Sequence, residues 1–412
     1  MKKKIVTAAI AIVSIVLIAS SIVLVAFAAN KIGENDFLHV ESGNLINEKG
    51  ETVLLQGVNL GGWLIQESWM CPVSGENRKW ANLDTLTVLE QRFGEAGAAE
   101  LIQNYQDNWI TEYDIMNIAM HGCNVIRVPF WYRNFMKDTQ GTWITENPDE
   151  NPGFKKLDWV IDTAGKYGMY VILDMHGCPG GQSMDHSCGT LCVNDLYTDE
   201  TCQATMELLW KTIADRYKDN PVVAAYDIMN EPQNNSGYEG ANSYDPWDSN
   251  SWQMTNQIYS RMISAIRQVD TRHVITVEGI WRASNLPDPA QPGWENVMYQ
   301  IHVYDDDDKF AEQAKDLANR MFAYGVAGYV GEFQNLNGIA MCNAYNINWT
   351  TWTYKGTGSY YDTFFWYFSD MADADVEQDS FETIKSKWGK QLNTQYFQKM
   401  EHVTDTVKKA VR

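Results

Sequence analysis

The segment VVAAYDIMNEP, residues 222–232, begins like a buried β-strand and ends on polar residues. Its valines, alanines and tyrosine include no turn former, which is typical of a strand covered on both faces in a parallel sheet. Asn230 and Glu231 follow, and Pro232 stops the strand because proline has no backbone N–H to donate. A polar pair at a strand end is either an ordinary loop start or the rim of a functional site. The residues at the other strand ends of the chain distinguish these two interpretations.

Seven further segments share this form, a short apolar run that ends on polar or turn-forming residues. They are residues 54–60, 124–130, 170–176, 273–279, 297–304, 327–333 and 348–354. Apolar stripes at helical spacing lie between them, as at Met206, Leu209, Ile213 and Tyr217. Strands that alternate with helices predict an α/β fold, here a (β/α)8 TIM barrel that forms one catalytic domain over residues 29–412. An open doubly wound sheet is the alternative, but no G-x-G-x-x-G follows the first strand.

The segment before the first barrel strand has a different pattern. Residues 37–57, FLHVESGNLINEKGETVLLQG, alternate between apolar and polar and contain a turn signal at residues 48–50. This pattern predicts an N-terminal β-hairpin that caps one end of the barrel.

Composition and charge narrow the function classes. The chain has 412 residues, of which 45% are hydrophobic and 21% charged, as in globular proteins. Its formal net charge of -21 repels nucleic acid and anionic lipid, so a nucleic-acid partner is not expected.

The N-terminus has the form of an export signal. Three lysines precede an uncharged run that extends to residue 30, and Ala26-Phe27-Ala28 fits a cleavage site for small residues. We expect residues 1–28 to be a secretory signal peptide and the protein to be extracellular or at the cell surface. The run is also long enough to span a bilayer, so an uncleaved membrane anchor is the alternative.

Four of the seven cysteines, Cys178, Cys188, Cys192 and Cys202, lie in one short segment. In an exported protein this clustering predicts one or two disulfides that pin a loop, with the pairing left open. A zinc site is the disfavoured alternative, because the segment has no C-x-x-C pair.

Polar and aromatic residues gather at the predicted strand ends. In a (β/α)8 barrel the carboxyl ends of all strands meet at one mouth, where active sites lie. Polar residues at the matching end of so many successive strands are not expected if each of them is only the start of a loop. Its members are Asn59, Arg127, His176, Asn230, Glu231, His302, Tyr304, Glu332 and Trp352.

Glu231 and Glu332 end the fourth and seventh predicted strands, so they are expected to face each other across the mouth. Glycoside hydrolysis needs such a pair, one carboxyl held protonated and the other ionised. Arg127 near Glu332 would keep Glu332 ionised, and Tyr304 could donate a hydrogen bond to it.

Other polar and aromatic side chains suit a sugar. Asn230, His176 and His302 are suited to sugar hydroxyls or to proton relay. The chain has 16 tryptophans, and those near strand ends could stack on sugar rings. These are Trp63, Trp69, Trp131, Trp281 and Trp352, although core packing is the ordinary role for all of them except Trp352.

An ordered series of motifs resembles glycoside hydrolase family 5, the cellulase-type retaining β-glycosidases. The motifs are GVNLGGW (57–63), NVIRVPF (124–130), LDMHG (173–177), MNEP (229–232), IHVY (301–304), GEF (331–333) and WTYK (352–355). The resemblance implies that Glu231 is the acid/base and Glu332 the nucleophile. It also implies a sugar subsite lined by Arg127, His176, Asn230, His302, Tyr304 and Trp352, with no metal or other cofactor.

Within the family, GVNLGGWLIQESWM and DMHGCPGGQ are most similar to the exo-β-1,3-glucanases and their β-glucosidase-like relatives. The expected substrate is therefore a β-glucan polysaccharide or oligosaccharide, and the expected state is a monomer. Segments 279–293 and 352–370 are more similar to endo-acting cellulases, so an endo-β-1,4-glucanase is the first alternative. A carbohydrate-binding barrel without catalysis is the second, and a transglycosylase would share the same site residues.

Overall fold

The computed structural model describes residues 31–75, 81–234, 249–358 and 365–411. The strands in chain order are β1 (His39–Glu41), β2 (Asn44–Ile46), β3 (Gln56–Asn59), β4 (Val73–Ser74), β5 (Val125–Trp131), β6 (Tyr170–Gly177), β7 (Val223–Asp227), β8 (Val274–Glu278), β9 (Val297–Val303), β10 (Ala327–Phe333), β11 (Asn348–Thr351), β12 (Lys355–Thr357), β13 (Tyr367–Ser369), β14 (Ala374–Asp375) and β15 (Gln398–Lys399). The α-helices are α1 (Asn82–Trp109), α2 (Glu112–Met120), α3 (Pro152–Lys166), α4 (Glu200–Tyr217), α5 (Ser249–Arg267), α6 (Asp307–Tyr324), α7 (Gly338–Tyr345), α8 (Phe381–Lys387) and α9 (Glu401–Ala410).

Strands β3 and β5 to β11 form a closed barrel in which every neighbouring pair is parallel. The strands follow one another around the barrel in chain order, and β11 pairs with β3 to close it. The predicted (β/α)8 TIM barrel is confirmed, and each predicted barrel strand is present. Short β4–β14 and β12–β13–β15 sheets lie outside the barrel.

Two predicted strands end three residues earlier than expected. Strand β7 ends at Asp227 rather than at residue 230, and β11 ends at Thr351 rather than at residue 354. Glu231 has φ 41°, a left-handed conformation that a strand cannot contain. The regular strand ends before Asn230, although Ile228 and Asn230 still donate their backbone N–H groups to Thr276 of β8 and Met175 of β6. Both Asn230 and Trp352 lie on the segments just beyond the strands.

The N-terminal hairpin closes the barrel at its amino end. Strands β1 and β2 pair antiparallel around Ser42 and Gly43, which both have positive φ. The turn predicted at residues 48–50 is also present, where Gly50 N–H donates to Asn47 O. Leu38, Leu45 and Leu55 pack with residues that begin the barrel strands: Val125, Tyr170, Val274, Met298 and Ala327. The predicted capping is thus at the end opposite the strand carboxyl termini.

The helices cover the outside of the barrel with their apolar stripes. In α4, Met206, Leu209 and Ile213 are fully buried. Trp210 on the same helix packs its ring against Phe130 of β5 and Tyr226 of β7. In the part of the chain that the structure describes, no helix is both long and apolar enough to cross a bilayer. The predicted signal or anchor at residues 1–28 lies outside the described residues.

The predicted disulfides are absent from the structure. All seven cysteines are free thiols, including Cys178, Cys188, Cys192 and Cys202. Two of the buried sulfurs in this segment have local partners: Cys188 Sγ contacts the carbonyl oxygens of Ser183 and Asp185, and Cys178 Sγ that of Met175. Clustering along the sequence did not bring these sulfur atoms into bonded pairs, and Cys178 and Cys188 instead face separate backbone carbonyls.

Candidate active site

The eight catalytic and sugar-binding residues predicted from the sequence lie together at the mouth end of the barrel. Five of them line its cleft, namely His176, Glu231, Tyr304, Glu332 and Trp352, whereas Arg127, Asn230 and His302 are buried and do not line it. The sheet register explains why they meet. Asn59 of β3 is level with Arg127 of β5, and Glu332 of β10 is level with His302 of β9. Because the strands are parallel and in chain order, residues far apart in sequence converge on this end of the barrel.

Arg127 is fully buried and occupies the centre of the site. Its Nε donates to Asp227 Oδ2 at 2.8 Å, its Nη1 to Glu332 Oε1 at 2.7 Å, and its Nη2 to Asn230 Oδ1 at 2.9 Å. Asn59 and Asp174 complete its contacts. A buried guanidinium is costly unless its donors are paired, and here every contact is to an oxygen. Burial alone would lower the pKa of Arg127, but the surrounding carboxylates outweigh burial and raise it.

Glu332 has a cationic donor on one oxygen and a phenol on the other. Arg127 contacts Oε1, and Tyr304 donates its hydroxyl to Oε2 at 2.6 Å. Both contacts stabilise the negative charge of the carboxylate and hold its orientation. The contacts expected between Arg127, Tyr304 and Glu332 are therefore present.

Glu231 has a different environment. Burial raises the pKa of its carboxyl to about 7, although its side chain retains 16% exposure toward the cleft. Its Oε1 lies 2.9 Å from His302 Nδ1, and its backbone N–H donates to Glu278 Oε2 at 2.8 Å. A carboxyl with such a pKa is protonated in a large fraction of molecules near neutral pH, as a general acid requires.

The two histidines of the site have opposite ionisation. Burial lowers the pKa of His302 to about 3, so its ring is neutral. Burial would also lower the pKa of His176, but the charge of Asp174 and a hydrogen bond from Nδ1 at 2.7 Å outweigh burial and raise it to about 9. The His176 ring stacks on Trp352, with ring centroids 5.5 Å apart and an interplanar angle of 11°.

A cleft of about 320 Å³ opens at the mouth. Trp69, Trp281 and Trp352 line it, as expected for a sugar floor, together with both glutamates. Trp63 and Trp131 do not reach it, since they are 1% and 2% exposed and belong to the core. Asp185, His186 and Ser187 also line the cleft, so the cysteine-bearing loop forms part of its wall.

Sequence reasoning missed a set of polar residues on four adjacent barrel strands: Asp174, Asp227, Glu278 and Gln300. All four are fully buried. The signal was present in the sequence, because each of these polar residues follows a largely apolar run in its predicted strand, and a buried charge must be paired. The sequence analysis considered the polar residues at the predicted strand ends and overlooked these polar residues, which come before them in the chain.

Glu231, Glu278 and His302 are the group of described residues whose ligand atoms could surround a metal ion, with all three atoms within 4.8 Å of one another. Burial raises the pKa of both carboxyls in this group. A cation would have to displace those protons, so the group is better suited to sharing protons than to holding a metal.

A closed parallel barrel with two unlike carboxyls facing each other at its mouth has the arrangement of the barrel glycoside hydrolases. Comparison with known families agrees. The model of the cellulase family, glycosyl hydrolase family 5, matches residues 89–373, more than half of the chain. The chain belongs to glycosyl hydrolase family 5.

Curated relatives are moderately similar. A beta-xylosidase from Phanerodontia chrysosporium is 30% identical over 273 residues, which are 65% of this chain and 52% of that protein. A probable glucan 1,3-beta-glucosidase A from Aspergillus clavatus is 31% identical over 199 residues, 47% of this chain and 45% of that protein. The chain thus spans about half the length of the curated relatives it matches.

Solved structures share the fold. The rutinosidase from Aspergillus niger superposes with a TM-score of 0.56 over 81% of this chain and 97% of its own, at 17% identity. At this identity the likeness concerns the barrel architecture alone.

Proposed function

We propose that this protein is a retaining glycoside hydrolase that cleaves β-glucosidic bonds of β-glucans by double displacement. The observation that carries the proposal is the unlike pair at the mouth. Glu332 is held by Arg127 and Tyr304, which stabilise its charge, whereas burial raises the pKa of Glu231 to about 7. A binding protein has no need for two facing carboxyls whose environments differ in this way.

The two carboxyls divide the chemistry. Glu332 attacks the anomeric carbon while Glu231 donates its proton to the leaving glycosidic oxygen. The bond to the leaving group breaks, and a covalent glycosyl-Glu332 intermediate forms. Glu231, now ionised, takes a proton from water, which attacks the anomeric carbon and releases Glu332 as a carboxylate. The sugar leaves with its β configuration retained.

The spacing of the pair supports retention. His302 Nδ1 lies 2.9 Å from Glu231 Oε1 and 3.5 Å from Glu332 Oε2. Both carboxyls therefore have an oxygen within 3.5 Å of one ring nitrogen, which brings them close enough to act on a single glycosidic bond from either side. An inverting mechanism would need room for a water molecule between the two carboxyls.

In this proposal, three of the remaining predicted residues serve the sugar and three serve the two carboxyls. Trp352 supplies an apolar face for the ring, and the cationic His176 stacked on it can donate to a hydroxyl. Asn230 is held by Arg127 and presents its amide beside Glu231. Arg127, His302 and Tyr304 act on the two carboxyls through the contacts described above.

The favoured substrate is a β-1,3-glucan attacked from its end. The motif resemblance favours this branch, and the Aspergillus clavatus relative is named for a glucan 1,3-beta-glucosidase activity. An endo-β-1,4-glucanase remains the alternative from segments 279–293 and 352–370. The relative from Phanerodontia chrysosporium is named a beta-xylosidase, so β-xylosides belong among the substrates to test.

We further propose that the protein is exported and acts on glucan outside the cell as a monomer. The lysine-led apolar N-terminus supports export, with cleavage after residue 28 favoured over retention as an anchor. N-terminal sequencing of the protein from the culture medium and from membranes distinguishes the two forms.

A product profile tests the activity. Purified protein is incubated with laminarin, mixed-linkage glucan, β-1,6-glucan, mannan and xylan, and the released sugars are separated by size. Glucose alone from laminarin supports the exo-β-1,3 assignment, and a ladder of products from mixed-linkage glucan supports endo cleavage. Binding without release from any glycan would instead favour the non-catalytic barrel.

Variants test the division of roles. Glu332→Gln should abolish turnover while leaving oligosaccharide binding intact. Glu231→Ala should lose about 10²-fold or more on unactivated substrates, which need the acid in the first step. On 2,4-dinitrophenyl β-glucoside, which needs no acid, azide should accelerate its turnover by attacking the glycosyl-Glu332 intermediate, which gives a β-glycosyl azide and frees the Glu332 carboxylate. Parental rates for Glu231→Ala on glucan would show that the acid is a different group.

A further inference from the structure

The buried Glu278 at the end of β8 contacts the proposed acid Glu231 through one oxygen. Glu278 Oε2 accepts the backbone N–H of Glu231 at 2.8 Å and the amide Nε2–H of Gln300 at 3.1 Å. A backbone N–H can only donate, so Oε2 is an accepting oxygen. Its other oxygen, Oε1, has no hydrogen-bond partner in the part of the chain that the structure describes, and it lies 3.5 Å from His302 Nδ1.

The backbone of Glu231 needs this support. Its φ of 41° is in the left-handed region, which a residue with a Cβ adopts only when its surroundings hold it there. The hydrogen bond to Glu278 fixes the peptide N–H on the amino side of that residue. The direction of the Glu231 side chain therefore depends on an acceptor contributed by the neighbouring strand.

The same oxygen also determines the tautomer of His302. Because Gln300 donates to Glu278 Oε2, its amide NH2 is directed to this side, and the same nitrogen lies 3.4 Å from His302 Nε2. An NH2 group can only donate, so His302 Nε2 is the acceptor and the ring proton of this neutral histidine is on Nδ1. That Nδ1–H points to Glu231 Oε1 at 2.9 Å.

We propose that Glu278 is a positioning residue for the acid/base Glu231, acting directly on its backbone and, through Gln300, on the tautomer of His302. With His302 donating to Oε1, the exchangeable proton of Glu231 is carried by Oε2, so one defined oxygen delivers it to the leaving group. This inference rests on the proposed glycosidase function and adds to it a residue pair that does not touch the sugar.

Leaving-group dependence tests this role, because only substrates with poor leaving groups need the acid. The substrates are phenyl β-glucoside and 2,4-dinitrophenyl β-glucoside. Glu278→Leu removes the acceptor and should lower kcat/KM on the phenyl glucoside by about tenfold or more relative to the dinitrophenyl glucoside. Glu278→Gln keeps an accepting oxygen and should stay within about threefold of the parent on both.

Gln300→Leu tests the contact through which Glu278 acts on His302. It also replaces Glu278→Leu as the test variant if Glu278→Leu does not fold. It leaves the Glu278 contact to the Glu231 backbone but removes the donor to His302 Nε2, so the same selective loss is expected. Equal losses on both substrates, no loss, or a Glu278→Gln variant as impaired as Glu278→Leu would overturn the proposal.

The parent and Glu231→Ala separate this inference from the proposed function. Glu231→Ala must show the selective loss on the phenyl glucoside for the acid assignment to hold. A parent inactive on both glucosides and on every glucan would refute the hydrolase itself. Selective loss in Glu231→Ala with none in the Glu278 and Gln300 variants would refute only the positioning role.

Discussion

Glu231 and Glu332 are chemically identical side chains that the fold places in unlike surroundings. Glu332 receives hydrogen bonds from a guanidinium and a phenol, whereas Glu231 has a neutral histidine and a buried backbone contact. Both oxygens of Glu332 accept hydrogen bonds, one of them from a cation, whereas burial of Glu231 raises its pKa and favours its neutral form. Environment, not residue type, therefore distinguishes the nucleophile from the acid in the proposed mechanism.

The raised pKa of Glu231 predicts the alkaline side of the pH profile. Since burial raises this pKa to about 7, the acid loses its proton as the pH rises through that value. We expect kcat/KM on an unactivated glucoside to fall above about pH 7, and the dinitrophenyl glucoside to lack that decline because it needs no acid. Parallel profiles for the two substrates up to pH 9 would contradict the assignment.

The same pKa predicts a stability difference. Between the ordinary value of 4.5 and about 7, the folded protein binds more protons at Glu231 than the unfolded chain does. Stability from this group is thus present below pH 4.5 and is lost as the pH rises through 7. The free energy of unfolding of Glu231→Gln relative to that of the parent should therefore rise across this window, by up to about 3 kcal/mol between pH 4.5 and pH 8. Denaturant unfolding of both proteins at the two pH values measures the gain, and a pH-independent difference would contradict it.

Strands β3 and β5 approach each other so closely that one position admits only glycine. A Cβ on Gly57 would lie 1.9 Å from the carbonyl oxygen of Val125. Gly57→Ala should therefore separate the two strands and cost about 3 kcal/mol or more in the free energy of unfolding.

Gly33→Ala is the matched control for this substitution. Its added Cβ would meet nothing closer than Asp36 Cβ at 3.6 Å, so its free energy of unfolding should stay close to that of the parent. Equal unfolding midpoints for the two variants in urea would show that the barrel accommodates the extra carbon at Gly57.

The pattern of apolar strands in the sequence predicted most of the fold, and the errors in that prediction have physical causes. A buried parallel strand has a continuous apolar run, which made β5, β6 and β10 recognisable almost to the residue. Strand β7 was predicted too long because the apolar Ile228 and Met229 continue the run beyond Asp227, the last residue with regular strand geometry. The support of Glu231 by Glu278 and Gln300 could not be read from sequence, because it depends on register between β8 and β9, which pairs Glu278 with Gln300.

The barrel as a whole separates a functional end from a structural end. The carboxylates lie at the carboxyl ends of the strands, while the β1–β2 hairpin and its leucines close the amino ends. In barrels of this type, substitutions at the first end change activity and those at the second change stability. The sequence predicted that the hairpin caps one end of the barrel. Its pattern of residues did not indicate which end, because that depends on where the hairpin packs.

This separation predicts opposite outcomes for two substitutions. Leu45 is 2% exposed beneath the hairpin, so Leu45→Ala should cost about 3 kcal/mol in the free energy of unfolding through the cavity it leaves. Below its unfolding transition, this variant should keep the parental kcat and KM, because the cleft is at the other end. Tyr304→Phe removes only the hydroxyl that donates to Glu332, so we expect kcat to fall by about tenfold or more with the unfolding midpoint little changed. Urea unfolding and steady-state kinetics on both variants check the pair, and a loss of kcat in folded Leu45→Ala would show that the two ends are energetically coupled.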